Sequence, residues 1–516
     1  MSNPVLASLA GGALLAACLS EVKLEQCAGE SCPPQGAAGT ASLPGADAGQ
    51  PSDPDIDVAL DAGTPVVPPP SETPDAATTP LEPTSAAKVD LLLVVDNSIS
   101  MSDKQRLLSR SLPALVQGLT DPACVDAAGQ RSAAVAGQGC APGSRRALAR
   151  VSDINVAVIS SSLGDVGANE ACAGGETDDR AHAIGALPRG AGLGTNGAGV
   201  LELRAGDDVA DFTRNLAALV DTVGQSGCGW EMTLESMYRF LSDPFPPERI
   251  ERVACTPDAT RSDCVQPAVD AEGRVLLDRT LLAQRAAFLR PDSELAIVLL
   301  SDENDCSARL EPQNWVAFAI GGQTSMFRGS SVCDDNPNDP CCYACPLAPP
   351  EGCAADPVCD VVEDNGTGRL AAEDDGRNLR CFDQKGRFGF DFLYPTERYV
   401  NALSQRELCL ERSDLAADDC DDVVQNPLFA AGREPASVVL SGIVGVPWQL
   451  IAAEESASGE PLAEQELRFE PASELSAADW SALVGSSQAS PPVAPTSPFM
   501  RESPFARAGV ERGNAI

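Results

Sequence analysis

The chain has 516 residues, 43% of them hydrophobic, so it can bury a substantial core and hold more than one domain. It carries 75 acidic and 36 basic residues, a formal net charge of −39 at pH 7. A chain this acidic repels phosphate backbones, and on this ground we exclude nucleic acid as a partner. The same charge suits the attraction of metal cations.

The first residues predict export and lipidation. Residues 5–17 (VLASLAGGALLAA) form an apolar run with the length of a signal-peptide core, too short to span a membrane as a mature helix. Its last three residues and the next one, Leu15-Ala16-Ala17-Cys18, resemble the lipobox of bacterial lipoproteins. The resemblance implies that residues 1–18 are a signal peptide and that Cys18 carries a lipid anchor. An ordinary signal peptide or a buried helix is the alternative.

The expected location is the bacterial cell envelope. Leu19, not Asp, follows Cys18. This departs from the pattern that resembles an inner-membrane retention signal, so the outer membrane is favoured, in a periplasmic or a surface-exposed orientation.

Residues 19–86 are rich in Pro, Ala and Asp and predict a disordered tether. Residues 456–516, acidic and then rich in Pro and Ser, predict a C-terminal tail of low order.

The cysteines predict the same compartment. The chain has 19 of them, and setting Cys18 aside leaves an even number, as is typical of an oxidised extracytoplasmic protein. Cys342 and Cys345 form a CxxC pair, but no second CxxC follows at zinc-finger spacing, so we expect disulfides there. Residues 303–390 predict a long cysteine-rich insertion without regular elements.

The first predicted strand is Val89–Val95 (VDLLLVV), an apolar run typical of a strand buried on both faces of a parallel sheet. Apolar residues at helical spacing follow it at 107, 108, 112, 115, 116 and 119. Strand, loop and helix in this order open an α/β unit, and such sheets bind ligands at the carboxyl ends of their strands.

Asp96, Ser98 and Ser100 lie at that end. Their alternate spacing directs three hard oxygen ligands toward one point, which is chemistry that Mg²⁺ prefers. The alternative is that Asp96 caps a helix and that the two serines are ordinary turn residues.

A D-x-S-x-S loop after a buried strand resembles the metal-ion-dependent adhesion site of the von Willebrand factor type A (VWA) domain. The resemblance covers residues 87–455 and implies a Rossmann-like α/β fold, with a central, mostly parallel sheet flanked by helices. It also implies a bound Mg²⁺, or Mn²⁺ or Ca²⁺, held directly by Asp96, Ser98 and Ser100.

The VWA family completes this site from two later loops. The predicted strand Glu294–Leu300 runs into Asp302, which matches the last ligand of the family, usually reached through a metal-bound water. The middle ligand is normally a Thr that opens a helix, and here residues 227–241 (GCGWEMTLESMYRFL) offer Glu231 or Thr233. Which of the two serves stays open.

Further predicted elements complete the sheet and its helical layers. They are a second strand, Ile154–Ser160, whose place in the sheet order stays open, helices at Val209–Val223, Thr280–Leu289 and Tyr394–Leu410, and another buried strand, Ser437–Val446.

The resemblance implies a binding module, in which a carboxylate from a protein partner completes the coordination of the metal. The alternative is an envelope scaffold or assembly subunit whose metal only stabilises the fold. A hydrolase in the insertion is a weaker reading. The only histidine, His182, is predicted to be a surface residue in a glycine-rich loop. Ser-His-Asp and Cys-His catalysis would both depend on this one residue, and a HExxH zinc site is impossible, so we predict that the protein is not an enzyme.

Overall fold

The computed structural model describes residues 88–127, 131–132, 139–164, 166–168, 178–255, 264–319, 325–363, 366–410, 412, 415–452 and 469–502. The predicted signal peptide, Cys18 and the tether lie outside these residues, as does much of the predicted tail. None of the described helices is both long and apolar enough to cross a membrane.

The largest sheet of the described residues has five strands. Its strands are β1 (Val89–Val95), β2 (Ile154–Ser160), β3 (Leu201–Leu203), β4 (Glu294–Leu300) and β5 (Val438–Ile443). The spatial order is β5-β4-β1-β2-β3, and only β3 runs antiparallel to its neighbour. The predicted α/β class with a mostly parallel sheet is therefore confirmed at this level.

Eight described α-helices accompany the sheet. They are α1 (Ser102–Thr120), α2 (Val209–Thr222), α3 (Thr233–Leu241), α4 (Arg279–Phe288), α5 (Ser331–Asp335), α6 (Gln384–Phe388), α7 (Glu397–Ser404) and α8 (Ala477–Leu483). Short strands form four small sheets: Cys124–Val125 with Arg131–Ser132 and Arg145–Arg146, Ile250–Val253 with Cys264–Pro267, Val362–Glu363 with Gly366–Thr367, and Glu407–Cys409 with Val423–Gln425.

The strand β1 is buried along its whole length because helices cover both faces of the sheet. Its side chains alternate between the two faces. Leu91 and Leu93 pack in a core shared with α1 and α2. Leu92 and Val94 pack on the other face in a core shared with α3, α4 and α7. An unbroken apolar run is what such a doubly covered strand requires.

Two predicted elements differ from the structure. The helix predicted over Tyr394–Leu410 ends at Ser404, because Gln405 is extended and the chain then pairs as the strand Glu407–Cys409. The buried strand predicted over Ser437–Val446 is the shorter β5, which lies at the sheet edge, so only its first two residues are buried.

Disulfides cross-link the cysteine-rich insertion, as predicted. Cys342 pairs with Cys333 and Cys345 pairs with Cys359, so the two cysteines of the CxxC belong to different bridges. The other described bridges are Cys124–Cys140, Cys255–Cys264, Cys306–Cys381, Cys341–Cys353 and Cys409–Cys420. The prediction that the insertion lacks regular elements is wrong, since it contains α5 and α6.

The prediction that His182 is a surface residue is also wrong. The side chain is buried, and its Nε2 lies 2.7 Å from Oδ2 of Asp278. Asp278 also caps α4, since its Oδ1 accepts a hydrogen bond from the backbone N–H of Leu281 at 3.0 Å. The surrounding glycines suggested exposure, but a partner 96 residues away along the chain satisfies the ring.

Candidate metal centre

The loops that follow β1 and β4 open at the same edge of the sheet. The two strands are parallel neighbours with Val95 opposite Leu300, so the next residues of each strand leave the sheet side by side. The Ser301 hydroxyl donates to Oδ2 of Asp96 at 2.7 Å and joins the two loops directly. This edge lies between β1 and β4, where the strand order reverses, and such switch points are the usual ligand sites of open α/β sheets.

The D-x-S-x-S loop forms a connected set of oxygen atoms. Asp96 is fully buried, and its Oδ1 accepts from the backbone N–H of Ser98 at 2.8 Å. The hydroxyls of Ser98 and Ser100 lie 2.9 Å apart. The Ser100 hydroxyl in turn donates to Oδ1 of Asp302 at 2.9 Å. The structure thus brings together four of the predicted ligands from two distant loops.

The third loop is held beside the first by a close backbone approach. The backbone N–H of Gly227 donates to the Asn97 carbonyl at 2.9 Å. A Cβ at position 227 would lie 2.6 Å from Oδ1 of Asn97, which is buried and accepts a hydrogen bond from the Ser162 hydroxyl at 2.9 Å. Only glycine therefore fits at 227, and the loop leading to α3 is fixed against the D-x-S-x-S loop.

The start of α3 is capped by the loop that follows β4. Oδ1 of Asp305 accepts from the backbone N–H of Leu234 at 2.9 Å, and the Ser307 hydroxyl accepts from that of Glu235, also at 2.9 Å. These side chains satisfy backbone donors that a helix start leaves free. The cap ties the α3 start to the same edge as Asp302.

Thr233 is the first residue of α3 and has an unsatisfied hydroxyl. Its side chain is 5% exposed, and its Oγ1 has no hydrogen-bond partner among the described residues. A buried hydroxyl without a partner costs about 1–3 kcal/mol, so such a group calls for an explanation. Coordination of a cation would satisfy it. Glu231 lies before the helix, so Thr233 holds the helix-opening position of the two candidates.

Glu231 contributes a crowded carboxyl group to the same edge. Burial raises the pKa of Glu231 to about 9, and the nearby carboxylates of Glu303 and Asp96 add to the rise. Burial also raises the pKa of Glu303, as does its proximity to Asp96. Glu231 therefore keeps its proton at neutral pH and is hydrogen-bonded to Glu303.

Burial raises the pKa of Asp96 as well, although hydrogen bonds from the Ser98 N–H and the Ser301 hydroxyl oppose the rise. Three acids with raised pKa values at one buried edge form an electrostatically unfavourable group. A divalent cation bound among them would reduce the repulsion between these carboxyl groups.

Sequence reasoning missed two charged residues of this cluster. Glu303 directly follows Asp302, and that adjacency was its only signal. Lys104 lies in the first turn of α1, and its Nζ is 2.9 Å from Oδ2 of Asp302. Its spacing of four residues from Ser100 is the corresponding signal in the sequence.

The donor set decides which cation would fit. Among the described residues, no three or more His, Cys, Asp or Glu side chains form a group that could hold a metal ion. A cation at this edge would therefore need hydroxyl oxygens alongside carboxylates. The site offers these in Ser98, Ser100 and the unsatisfied Thr233, and an all-oxygen set suits Mg²⁺, Mn²⁺ or Ca²⁺ rather than a softer metal.

Comparisons with protein-family models, with curated proteins and with solved structures found no match for this chain.

Proposed function

We propose that this protein is a cell-envelope lipoprotein whose VWA-like module binds a protein partner through a divalent cation. The observation that carries the proposal is the convergence of three loops at the switch point of the sheet. There Asp96, Ser98, Ser100 and Asp302 are linked, and the buried hydroxyl of Thr233 has no hydrogen-bond partner in the part of the chain that the structure describes.

The strand order supports the VWA-like fold. From the antiparallel edge the sheet reads β3-β2-β1-β4-β5, which is the doubly wound order with its crevice between β1 and β4. The D-x-S-x-S loop and Asp302 stand on the two sides of that crevice.

The residues that would hold the cation are Asp96, Ser98 and Ser100 directly, with Thr233 and Asp302 in support. Ser301 orients Asp96 through its hydroxyl, and Glu231 lies beside the set. When bound, a hard divalent cation would accept a carboxylate from a partner in its remaining coordination position. The role is binding, not catalysis.

The envelope location rests on two features. The lipobox-like sequence ending at Cys18 predicts a lipid anchor, and we favour the outer membrane. The disulfides of the described residues suit an oxidising compartment outside the cytoplasm.

Calorimetry with Mg²⁺, Mn²⁺ and Ca²⁺ on the full chain tests the site. We expect saturable heats from the wild type and none from Asp96→Ala. Asp335→Ala is the matched control, because it removes an exposed acid of α5 and should leave the heats unchanged. Equal heats from wild type and Asp96→Ala would contradict the proposal.

A second titration tests the adhesive role. Short peptides with a single Asp or Glu should bind the metal-loaded protein, and the matching Asn or Gln peptides should not. A scaffold role is favoured instead if metal binds and raises the melting temperature but no acidic peptide binds. The crowded acids Glu231, Glu303 and Asp96 support that second candidate, since a cation among them would also stabilise the fold.

A further inference from the structure

Lys104 places a positive charge of the chain itself at the candidate metal centre. Its Nζ lies 2.9 Å from Oδ2 of Asp302, and it donates to the Ser100 carbonyl and to Oδ1 of Asp103, each at 3.1 Å. The ammonium therefore joins the loop after β1 to the loop after β4.

The position of Lys104 is not explained by the helix that carries it. Lys104 is the third residue of α1, and cations are disfavoured in the first turn because the helix dipole is positive there. The acids beside it compensate for this, since carboxylate oxygens of Asp302 and Asp103 lie 2.9 and 3.1 Å from the Lys104 ammonium.

Both carboxylate oxygens of Asp302 are engaged by these contacts. Oδ1 accepts from the Ser100 hydroxyl and Oδ2 pairs with Lys104. Asp302 and Ser100 are also residues of the proposed metal site. A divalent cation there would meet the field of the ammonium and would have to share the charge of Asp302 with it.

We infer that Lys104 is an internal counter-cation that competes with the divalent metal for Asp302 and thereby sets the metal affinity of the site. The inference rests on the proposed metal-binding function. Without metal, Lys104 offsets the acids and holds the two loops together. With metal, it lowers affinity, so that the site loads at a higher cation concentration than its oxygen ligands alone would require.

Calorimetry of the full chain with Mg²⁺ alone tests the inference. Lys104→Gln removes the charge and should tighten Mg²⁺ binding about tenfold, the order expected for one unit charge beside a partly exposed site. Lys104→Arg keeps the charge and should stay near wild type. Arg106→Gln is the matched control, since it removes the same charge from an exposed position on the same helix and should change affinity less than about twofold.

Salt and heat give a second readout. The advantage of Lys104→Gln should shrink as ionic strength rises, because screening weakens the repulsion. In chelator, Lys104→Gln should melt at a lower temperature than wild type, and Mg²⁺ should raise its melting temperature by a larger increment.

The outcomes separate the two ideas. Suppose that wild type binds Mg²⁺, that Asp96→Ala does not, and that Lys104→Gln binds Mg²⁺ no more tightly than wild type. The proposed metal site is then supported, and the inference that Lys104 competes with the metal is wrong. If Lys104→Gln alone binds, the inference is supported in its strongest form. If wild type, Asp96→Ala and Lys104→Gln all give no heat, the proposed function fails and the inference fails with it.

Discussion

Two buried aspartates at opposite ends of β1 have opposite electrostatic surroundings. Asp90, near the start of the strand, and Asp96, just after its end, are each 0% exposed. Asp90 is paired with Arg290 at 2.7 Å and with Arg433 at 2.9 Å, and the Ser293 hydroxyl donates to it as well. Asp96 has hydroxyl and backbone donors and lies close to other acids.

The difference shows at which end of the sheet cations of the chain itself neutralise the buried acid. At the amino end the arginines neutralise the buried acid, so the group is a finished part of the structure. At the carboxyl end, burial raises the pKa of Asp96, and no Lys or Arg of the described residues forms an ion pair with its carboxylate. An acid in such a place is suited to receive a cation from outside.

The largest expected effect is at the amino end. Asp90→Asn leaves Arg290 and Arg433 without their buried carboxylate and should lower the free energy of unfolding by about 3–5 kcal/mol. Denaturant unfolding should give the same loss in chelator and in Mg²⁺. A loss that Mg²⁺ alters would mean that the two ends of β1 are coupled.

The next effect is the contribution of the metal. At a Mg²⁺ concentration 100 times its dissociation constant, wild type should gain about 2.7 kcal/mol over the chelated protein. Asp96→Asn should lose that gain. It should change the stability in chelator by less than about 1 kcal/mol, because without metal the buried Asp96 carboxylate has no ion-pair partner among the described residues for the substitution to remove. A loss in chelator as large as that of Asp90→Asn would show that Asp96, like Asp90, stabilises the fold without metal.

Thr233→Val sharpens the contrast at a single hydroxyl. The change keeps the side-chain shape and removes an oxygen that no described residue hydrogen-bonds, so stability in chelator should stay the same or rise by about 1 kcal/mol. Mg²⁺ affinity should fall about tenfold if the oxygen is a ligand. Thr222→Val is the control, since the Thr222 hydroxyl already donates to the Ala218 carbonyl at 2.6 Å and lies in α2. Unchanged Mg²⁺ affinity in Thr233→Val would remove Thr233 from the ligand set.

Much of the central sheet could be predicted from the sequence alone. The bounds of β1, β2 and β4 match the predicted strands, because a strand covered on both faces reads as an uninterrupted apolar run. The edge strand β5 was predicted to be buried, since its apolar residues give the same pattern although only one neighbour covers it.

The parts that sequence reasoning missed depend on residues far apart in the chain. The contact of His182 with Asp278 and that of Lys104 with Asp302 arise only when the loops meet in the fold. The D-x-S-x-S spacing predicted where a site would lie. It did not predict that Lys104 and Glu303 would lie beside the site, because their contacts are with Asp302 and Glu231, which come from loops about 130 to 200 residues further on.

A pH dependence with an unusual sign is also expected. The pKa of Glu231 is raised from 4.5 to about 9 in the folded protein, first by burial and then by Glu303 and Asp96. Between these two values the folded chain binds more protons than the unfolded chain at this residue, so its contribution to stability falls as pH rises. An ordinary ion-paired acid gives the opposite slope.

Glu231→Gln should remove this decline, which is measured as the melting temperature in chelator from pH 5 to pH 9 against wild type. Glu294→Gln is the control, because burial raises the pKa of Glu294 too, but this residue begins β4 at the amino end of the sheet. If Glu294→Gln flattens the profile as much as Glu231→Gln, the slope reports burial in general. If only Glu231→Gln does, the decline comes from acids crowded at the carboxyl edge, which is the feature that distinguishes this end of β1 from the end completed by arginine.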